Sequence, residues 1–229
     1  MTDERQTALI TGATGGIGRA LADALAPHYD LILQGRDPAR LQELSTRYPR
    51  SRALTVDLRH PETFSEAMGG ITPLHALVHN AGVVDLGSVA DTSVDVWRDT
   101  LAVNLVAPAA LTRALLPALR EARGHVLFVN SGAGLTANAG WGAYAASKFG
   151  LRALADALRA EEAQHGVRVT TVYPGRTATD MQRRVRQQEG APYHEDAYIQ
   201  PASVASAALT ALLLPRDAHL TDVTVRPGA

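Results

Sequence analysis

Residues 11–18 read TGATGGIG and lie between the apolar residues 8–10 and a segment of helical periodicity. A tight turn from a strand into a helix brings backbone amides close to a ligand, and glycines allow that approach. The unpaired N–H groups at the start of the helix, together with its dipole, favour a negative charge there. This context predicts a dinucleotide-binding turn, with an ordinary glycine-rich turn as the alternative.

Short apolar runs alternate with longer helical segments along the whole chain, which indicates an α/β fold with a seven-stranded parallel sheet and helices on both faces. No linker or repeat interrupts this pattern, so we expect one domain over residues 1–229. The predicted strands are residues 7–11, 30–34, 53–57, 74–79, 125–131, 168–173 and 222–226, and the predicted helices are residues 17–25, 38–47, 61–68, 94–119, 144–164 and 201–213.

The composition excludes several classes of function. The 229 residues contain no cysteine, which rules out a disulfide scaffold, a thiolate metal site and a cysteine nucleophile. A net charge of -1 provides no basic field for nucleic acid. The apolar runs are read as shorter than the ~20 residues that span a bilayer, residues 202–214 coming closest, and no signal peptide is recognised. We expect a cytoplasmic enzyme without nucleic-acid or membrane partners.

The end of the second predicted strand bears on the choice of cofactor. An NAD-binding unit places an acid there, whereas this chain has Gln34, Gly35 and Arg36. Arginine pairs with the 2′-phosphate of NADP, which a carboxylate would repel. We therefore predict NADP (NADPH) rather than NAD. Two alternatives stay open, because Arg36 can be a solvated surface residue and Asp37 can reach a ribose hydroxyl.

Three residues form a candidate catalytic set. Tyr144 and Lys148 lie one helical turn apart, so their side chains share a face. A free tyrosine titrates near ~10, and a nearby ammonium lowers that pKa. Ser131 ends a predicted strand and would face the same crevice as the glycine-rich turn, since the carboxyl ends of parallel strands line one edge of the sheet. Taken alone, a Tyr-x-x-x-Lys pair is more often a surface contact.

Together, these motifs resemble those of the short-chain dehydrogenase/reductase family over nearly the whole chain. The family's glycine pattern, T-G-x-x-x-G-x-G, falls on residues 11–18, its N-A-G segment on residues 80–82 and its P-G-x-x-x-T segment on residues 174–179. The resemblance implies a doubly wound Rossmann fold with a mobile substrate lid at about residues 176–200. Its four catalytic positions are matched by Asn104, Ser131, Tyr144 and Lys148.

The resemblance also implies a role for each site residue. Ser131 would hydrogen-bond a substrate carbonyl, and Tyr144 would donate a proton as hydride arrives from NADPH. Lys148 would lower the pKa of Tyr144 and bind the nicotinamide ribose, while Asn104 would hold a water that relays protons. Asp57 would meet the adenine, and Thr177 or Thr179 the carboxamide. The implied cofactor-binding residues are Thr11, Gly12, Gly16, Ile17, Gly18, Arg36, Asp57, Leu58, Asn80, Ala81, Gly82, Tyr144, Lys148, Pro174, Gly175, Thr177 and Thr179.

Other signals are read as structural. His75 and His79 are four apart on a predicted strand, about 13 Å in length, so they cannot share one metal ion, and no metal site is expected. The arginines of the segment 176–200 are read as a solvated helical face, with recognition of a substrate carboxylate or phosphate as the alternative. Trp141 and Leu135 are either pocket walls or packing under the lid.

These observations favour an NADPH-dependent carbonyl reductase, reversible as an alcohol dehydrogenase, that acts on a small carbonyl or secondary alcohol. One alternative is an NADP-sensing regulatory protein without turnover, although all four catalytic positions are filled. A second is a 3-oxoacyl carrier-protein reductase, whose usual V-D-G-G ending is replaced here by LTDVTVRPGA. The resemblance implies a homodimer or homotetramer formed through the helices predicted at residues 94–119 and 144–164.

Overall fold

The computed structural model describes residues 5–228 and is built around one parallel sheet of seven strands. The strands are β1 (Gln6–Ile10), β2 (Tyr29–Gly35), β3 (Ser51–Thr55), β4 (Ala76–His79), β5 (His125–Val129), β6 (Arg168–Pro174) and β7 (Asp222–Val225). Their order across the sheet is β3-β2-β1-β4-β5-β6-β7. The predicted sheet is confirmed, and the strand order reverses between β1 and β4, where a doubly wound sheet opens its crevice.

Helices cover both faces of the sheet, as predicted. They are α1 (Gly16–Leu25), α2 (Pro38–Thr46), α3 (Phe64–Ala67), α4 (Val94–Leu101), α5 (Ala107–Glu121), α6 (Gly142–Glu162), α7 (Asp180–Gln188) and α8 (Pro201–Leu213). Alternate residues of β1 point to opposite faces: Ile10 packs in the core formed with α1 and α8, and Leu9 in the core formed with α5 and α6. The central strands are therefore buried on both sides, which explains their continuous apolar runs.

The helix predicted over residues 94–119 is interrupted. Residues Ala102–Val106 form a π-helical turn between α4 and α5, in which the N–H of Ala107 bonds to the carbonyl of Ala102. Pro108 has no N–H to donate to the carbonyl of Asn104, which lies four residues earlier, so the regular α-helical pattern cannot pass through this point. Such π-turns often occur at functional sites.

The helical stretch Val94–Glu121 is 28 residues long, and it is apolar enough to cross a membrane by length and composition. Residues 202–214 are therefore not the nearest match to a membrane span, and that part of the sequence analysis was wrong. The core helix of a globular domain has the same properties, and 44% of the apolar window is buried inside the structure. Leu111, Leu115 and Leu119 of α5 pack into the core beneath the sheet.

Candidate active site

The glycine-rich turn connects β1 to α1 and is held in a conformation that glycine alone adopts without strain. Gly12 has φ +62°, and a β-carbon there would lie 2.8 Å from Cα of Ala81. A β-carbon on Gly18 would lie 2.2 Å from the carbonyl oxygen of Gly12. Helix α1 has neither a side-chain cap at Gly15 nor an acid in its first turn. Its first N–H groups are therefore suited to an anionic ligand such as a pyrophosphate.

The ends of β1 and β4 are joined by side-chain hydrogen bonds. The Thr11 hydroxyl accepts from the N–H groups of Asn80 and Ala81, at 2.9 and 3.1 Å. The Asn80 amide donates to the carbonyls of Thr11 and Gly12, at 3.0 and 3.1 Å. The N-A-G segment, which ends with Gly82, thus braces the glycine-rich turn across the switch point of the sheet.

Gln34 is a further residue of this region to which the sequence analysis gave no role. Its side chain is 1% exposed, and its Oε1 accepts from the N–H of Gly12 at 3.1 Å. Its Nε2 donates to the carbonyl of Val56 at 2.7 Å. Gln34 therefore fixes the glycine-rich turn relative to the loop that carries Asp57 and Leu58. The sequence carries one signal by which this role could have been found, a polar amide within the otherwise apolar run LILQG.

The residues after β2 bear on the choice between NADP and NAD. Arg36 is exposed, and it makes no ion pair among residues 5–228. Asp37 caps α2 instead, because its carboxylate accepts from the N–H groups of Ala39 and Arg40 at 3.0 and 3.1 Å. The cap uses only Oδ1 of Asp37, so the alternative in which Asp37 reaches a ribose hydroxyl stays open. Asp57 accepts from the N–H of Arg59 at 3.0 Å and keeps 38% of its side chain exposed.

Ser131 follows β5 and is oriented by its neighbour Asn130, which the sequence analysis did not identify. Oδ1 of Asn130 accepts from the N–H of Ser131 at 2.8 Å, and Nδ2 donates to the carbonyl of Lys148 at 3.1 Å. The Ser131 hydroxyl accepts from the N–H of Ala133 at 3.1 Å. Asn130 thus couples the strand that positions Ser131 to the helix that carries Tyr144 and Lys148.

Tyr144 and Lys148 lie on α6 and are 8% and 3% exposed. Nζ of Lys148 donates to the carbonyl of Val129 at 3.2 Å and lies 5.8 Å from the centroid of the Tyr144 ring. Burial raises the pKa of Tyr144 above its ordinary value, and a hydrogen bond with Ser131 opposes that shift. Burial also lowers the pKa of Lys148 to about 8. The pKa of Tyr144 is raised overall because desolvation outweighs the hydrogen bond with Ser131, and the lowering effect expected of Lys148 stays a prediction.

Asn104 lies in the π-turn, is fully buried and is held by three hydrogen bonds. Its Oδ1 accepts from the N–H of Val83 at 2.8 Å, and its Nδ2 donates to the carbonyl of Val83 at 2.9 Å and to Oγ of Ser147 at 3.0 Å. Ser147 in turn donates to the carbonyl of Tyr144 at 2.7 Å. The side chain of Asn104 therefore positions the start of α6.

The segment 176–200 begins beside the glycine-rich turn. Thr179 caps α7 by accepting from the N–H of Gln182, and a β-carbon on Gly16 would lie 2.8 Å from Cγ2 of Thr179. Thr177 is 6% exposed and donates to the carbonyl of Gly175 at 3.0 Å. Of the two threonines, Thr179 is thus the one in contact with the turn.

Hydrogen bonds join α7, in the segment 176–200, to the loop after β4. Nε2 of Gln188 donates to Asp85 at 2.8 Å, and its Oε1 accepts from the N–H of Leu86 at 3.2 Å. The adjoining loop is fastened as well, because the N–H of Gly87 donates to the carbonyl of Gly140 at 2.9 Å.

Most of the arginines in the segment 176–200 serve the segment itself. Arg176 and Arg186 both pair with Glu189, at 2.6 Å in each case, and lower the pKa of its carboxyl. The guanidinium of Arg183 stacks on the ring of Tyr193 at 4.3 Å. These contacts favour the reading as a folded polar segment over that of a carboxylate or phosphate site.

Trp141 lies beside Tyr144, and His79 lies in the sheet behind it. Trp141 meets Tyr144 edge-on at 5.8 Å, and the guanidinium of Arg176 lies 5.7 Å from its ring. His79 is buried, stacks on Phe128 at 4.9 Å and bonds to Thr112, and desolvation lowers its pKa to about 3. Both readings of Trp141, as a pocket wall or as packing under the lid, fit these contacts, whereas His79 is a packing residue.

Comparison with known proteins agrees with this geometry. The sequence model described as short chain dehydrogenase matches residues 6–190. A short-chain type dehydrogenase/reductase of Sinorhizobium fredii is 33% identical over 230 residues, covering 97% of this chain and 91% of that protein. Dehydrogenase/reductase SDR family member 7B of Bos taurus is 37% identical over 201 residues, covering 81% of this chain. The chain spans only 62% of the length of that bovine protein.

The chain is also similar to a solved structure that contains a nicotinamide cofactor. The short chain dehydrogenase of Burkholderia cenocepacia in complex with NADP superimposes with a TM-score of 0.84 and 27% identity, covering 100% of this chain and 90% of that one. The chain therefore belongs to the short chain dehydrogenase family. The matching sequence model and both of these relatives are described as dehydrogenases or dehydrogenase/reductases.

Proposed function

We propose that the protein is an NADPH-dependent carbonyl reductase, reversible as a secondary-alcohol dehydrogenase, that acts on small molecules. The observation that carries this proposal is the meeting of Ser131, Tyr144 and Lys148 at the carboxyl edge of the sheet, with Tyr144 and Lys148 buried. The bound nicotinamide would supply or accept the hydride, while the protein supplies position and proton transfer.

The residues present fit such a cofactor. The glycine-rich turn and the uncapped start of α1 would hold the pyrophosphate, and Thr179 would close on it. Arg36 would pair with the 2′-phosphate, because it is exposed and no acid occupies the end of β2. Asp57 and Leu58 would face the adenine. This arrangement supports a preference for NADP over NAD.

The protonation states favour reduction near neutral pH. Burial raises the pKa of Tyr144, so its hydroxyl carries its proton and is able to donate it to a carbonyl oxygen. Burial lowers the pKa of Lys148 to about 8, so at pH 7 the side chain is still largely an ammonium. Ser131 would orient the carbonyl, and Asn104 would hold the water that returns protons to Lys148.

We further propose one catalytic domain with a lid at residues 176–200, assembled into a homodimer or homotetramer. Val106 and Phe149 support the assembly, because they are 49% and 40% exposed on the helices to which the resemblance assigns the interface. Association would remove these apolar side chains from water.

The experiment that tests the function follows the loss of NADPH absorbance with a panel of diketones, aldehydes and keto esters, and repeats it with NADH. Turnover that is faster with NADPH supports the proposal. Tight NADPH binding without consumption of any carbonyl would instead support the alternative of an NADP-sensing protein. Reduction restricted to acyl carrier-protein thioesters would support the carrier-protein reductase.

A further inference from the structure

Arg226 follows β7 and reaches across the carboxyl edge of the sheet to the turn that begins at Ser131. A β-carbon built on Gly132 would lie 2.7 Å from Nη1 of Arg226 and 3.6 Å from its Cζ. The guanidinium therefore packs on the backbone one residue past Ser131, in a space that a larger residue at position 132 would fill.

The backbone that carries Arg226 is fixed on both sides. Val225 pairs with Pro174 in the sheet, and its carbonyl accepts from the N–H of Gly175 at 2.8 Å. Cδ of Pro227 would lie 3.4 Å from a β-carbon on Gly175, and its ring restricts the chain there. Because only the side chain of Arg226 has to be ordered, binding a ligand costs less conformational entropy.

Among residues 5–228 the charge of Arg226 has no counter-ion. The side chain is exposed, and within residues 5–228 it makes neither an ion pair nor a hydrogen bond. Arg176 and Arg186, in the segment 176–200, instead share Glu189 as an ion-pair partner. Arg226 thus presents one positive charge with unused donors beside the catalytic turn.

The position of Arg226 separates it from the cofactor phosphates. In the sheet, β7 lies four strands away from β1, which is about 19 Å at the usual strand spacing of about 4.8 Å. The glycine-rich turn follows β1, and Arg36 follows β2, one strand further away. The ligand of Arg226 is therefore to be sought on the substrate side, at Ser131 and Tyr144.

We propose that Arg226 binds the carboxylate of an oxo-acid substrate whose ketone oxygen is held by Ser131 and Tyr144. This rests on the proposed reductase function and narrows its substrate class. The planar fork of a guanidinium matches a carboxylate with two parallel hydrogen bonds. A single unpaired guanidinium supplies one positive charge, which suits a monocarboxylate better than a doubly charged phosphate.

The test compares each oxo acid with its neutral methyl ester: pyruvate, acetoacetate and levulinate place the carboxylate at increasing distance from the ketone. We expect wild-type kcat/KM to favour the acid in at least one pair. Arg226→Gln lowers kcat/KM for the preferred acid about 10- to 100-fold, mainly by raising KM, and leaves kcat/KM for its methyl ester unchanged. Arg226→Lys retains part of the preference for the acid, because lysine keeps the positive charge. The matched control is Arg52→Gln. Arg52 is an exposed arginine of β3, the outermost strand on the side of the sheet opposite to β7.

Two results would overturn the role of Arg226: a wild-type preference for the esters in all three pairs, or an equal loss on acid and ester in Arg226→Gln. Binding is measured separately by calorimetry of the three acids with the NADP-loaded Tyr144→Phe protein, with and without Arg226→Gln. Loss of acid binding in the double variant supports the site, whereas equal binding, or no binding to Tyr144→Phe, contradicts it.

The two measurements also distinguish this inference from the function beneath it. A protein that reduces the esters but prefers no acid keeps the reductase function and loses the role of Arg226. A protein that binds an acid through Arg226 without consuming NADPH keeps the site and loses the reductase function.

Discussion

The amino ends and the carboxyl ends of the parallel strands, here called the amino edge and the carboxyl edge, each lie beside a cation that is largely removed from water. The two cations differ in their hydrogen bonds. At the amino edge, both terminal nitrogens of Arg168 donate to carbonyl groups at the end of α8 and just beyond it. At the carboxyl edge, Lys148 is 3% exposed, and among residues 5–228 its Nζ donates only to the carbonyl of Val129. The carbonyls that accept from Arg168 are those of Leu212, Leu214, Pro215 and Ala218.

The difference lies in how much hydrogen-bonding capacity is used. The four carbonyls around Arg168 close the end of a helix, which is a structural task. An ammonium has three donors, so two of those of Lys148 are left for a ligand or a water. Burial lowers the pKa of Lys148 to about 8, near physiological pH, whereas an arginine stays charged. Arg168 also leaves its buried Nε without a partner among residues 5–228, so the two cations differ in their task and in their proton affinity. The functional edge is thus the one whose buried cation is able to titrate near physiological pH and keeps donors for a ligand.

The largest effect is expected for Tyr144→Phe, which removes the proton donor from the carboxyl edge while preserving the shape of the ring. We expect kcat for carbonyl reduction to fall about 10²- to 10⁴-fold, the contribution of a positioned general acid. NADPH binding, followed by fluorescence titration, is expected to stay close to wild type. Substantial residual reduction would show that another group donates the proton.

The corresponding change at the amino edge, Arg168→Leu, should affect stability and not catalysis. Stranding the carbonyls that it bonds is expected to lower the free energy of unfolding by about 2–3 kcal/mol, as for hydrogen bonds to a charged group. Urea unfolding followed by circular dichroism measures this, with Arg52→Leu as the control for removal of an exposed arginine. A variant of wild-type stability, or one that is stable but has a reduced kcat, would break the proposed contrast between the edges.

How far the sequence predicts this contrast depends on how local each feature is. The strands were placed to within two residues, because buried parallel strands and short turns have a strong local pattern. The π-turn at Asn104 was missed, although Pro108 carries its cause. The bridge formed by Gln34 and the contact of Arg226 with Gly132 depend on chain segments that only the folded sheet brings together.

The overall direction of the pKa shift of Tyr144 could not be read from spacing for a related reason. Spacing along α6 correctly places Lys148 one turn from Tyr144, and from that alone a lowered pKa follows. Burial, however, is a property of the whole fold, and it raises the pKa of Tyr144. Motifs therefore identify which residues meet, whereas their proton affinities depend on how much solvent the surrounding elements exclude.

A smaller effect is expected for Arg36→Asp, at the cofactor end of the carboxyl edge. The change removes a partner of the 2′-phosphate and adds a repelling charge, so the ratio of kcat/KM with NADPH to that with NADH should fall about 10- to 50-fold. Solvent screens part of the interaction, since Arg36 is exposed. Arg52→Asp is the matched control, and an unchanged ratio in Arg36→Asp would identify Arg36 as a surface residue.

The smallest effect is the pH dependence of the wild-type protein, and its sign follows from the two buried groups. Reduction requires a protonated Tyr144, whose pKa is raised, and a cationic Lys148, whose pKa is lowered to about 8. Lys148 is the first to lose its proton as the pH rises. Reductive kcat/KM should therefore be level from pH 6 to 7, fall to about half at pH 8 and to about a tenth at pH 9.

Lys148→Arg distinguishes this cause from others, because a guanidinium keeps its charge throughout that range. Whatever activity the variant retains should show no decline near pH 8. A decline that persists in Lys148→Arg would assign the titration to another group, and a level wild-type profile up to pH 9.5 would mean that the charge of Lys148 does not contribute. Either result would show that titration of Lys148 does not distinguish the carboxyl edge from the amino edge. The two unused hydrogen-bond donors of Lys148 would then be the remaining difference between the edges.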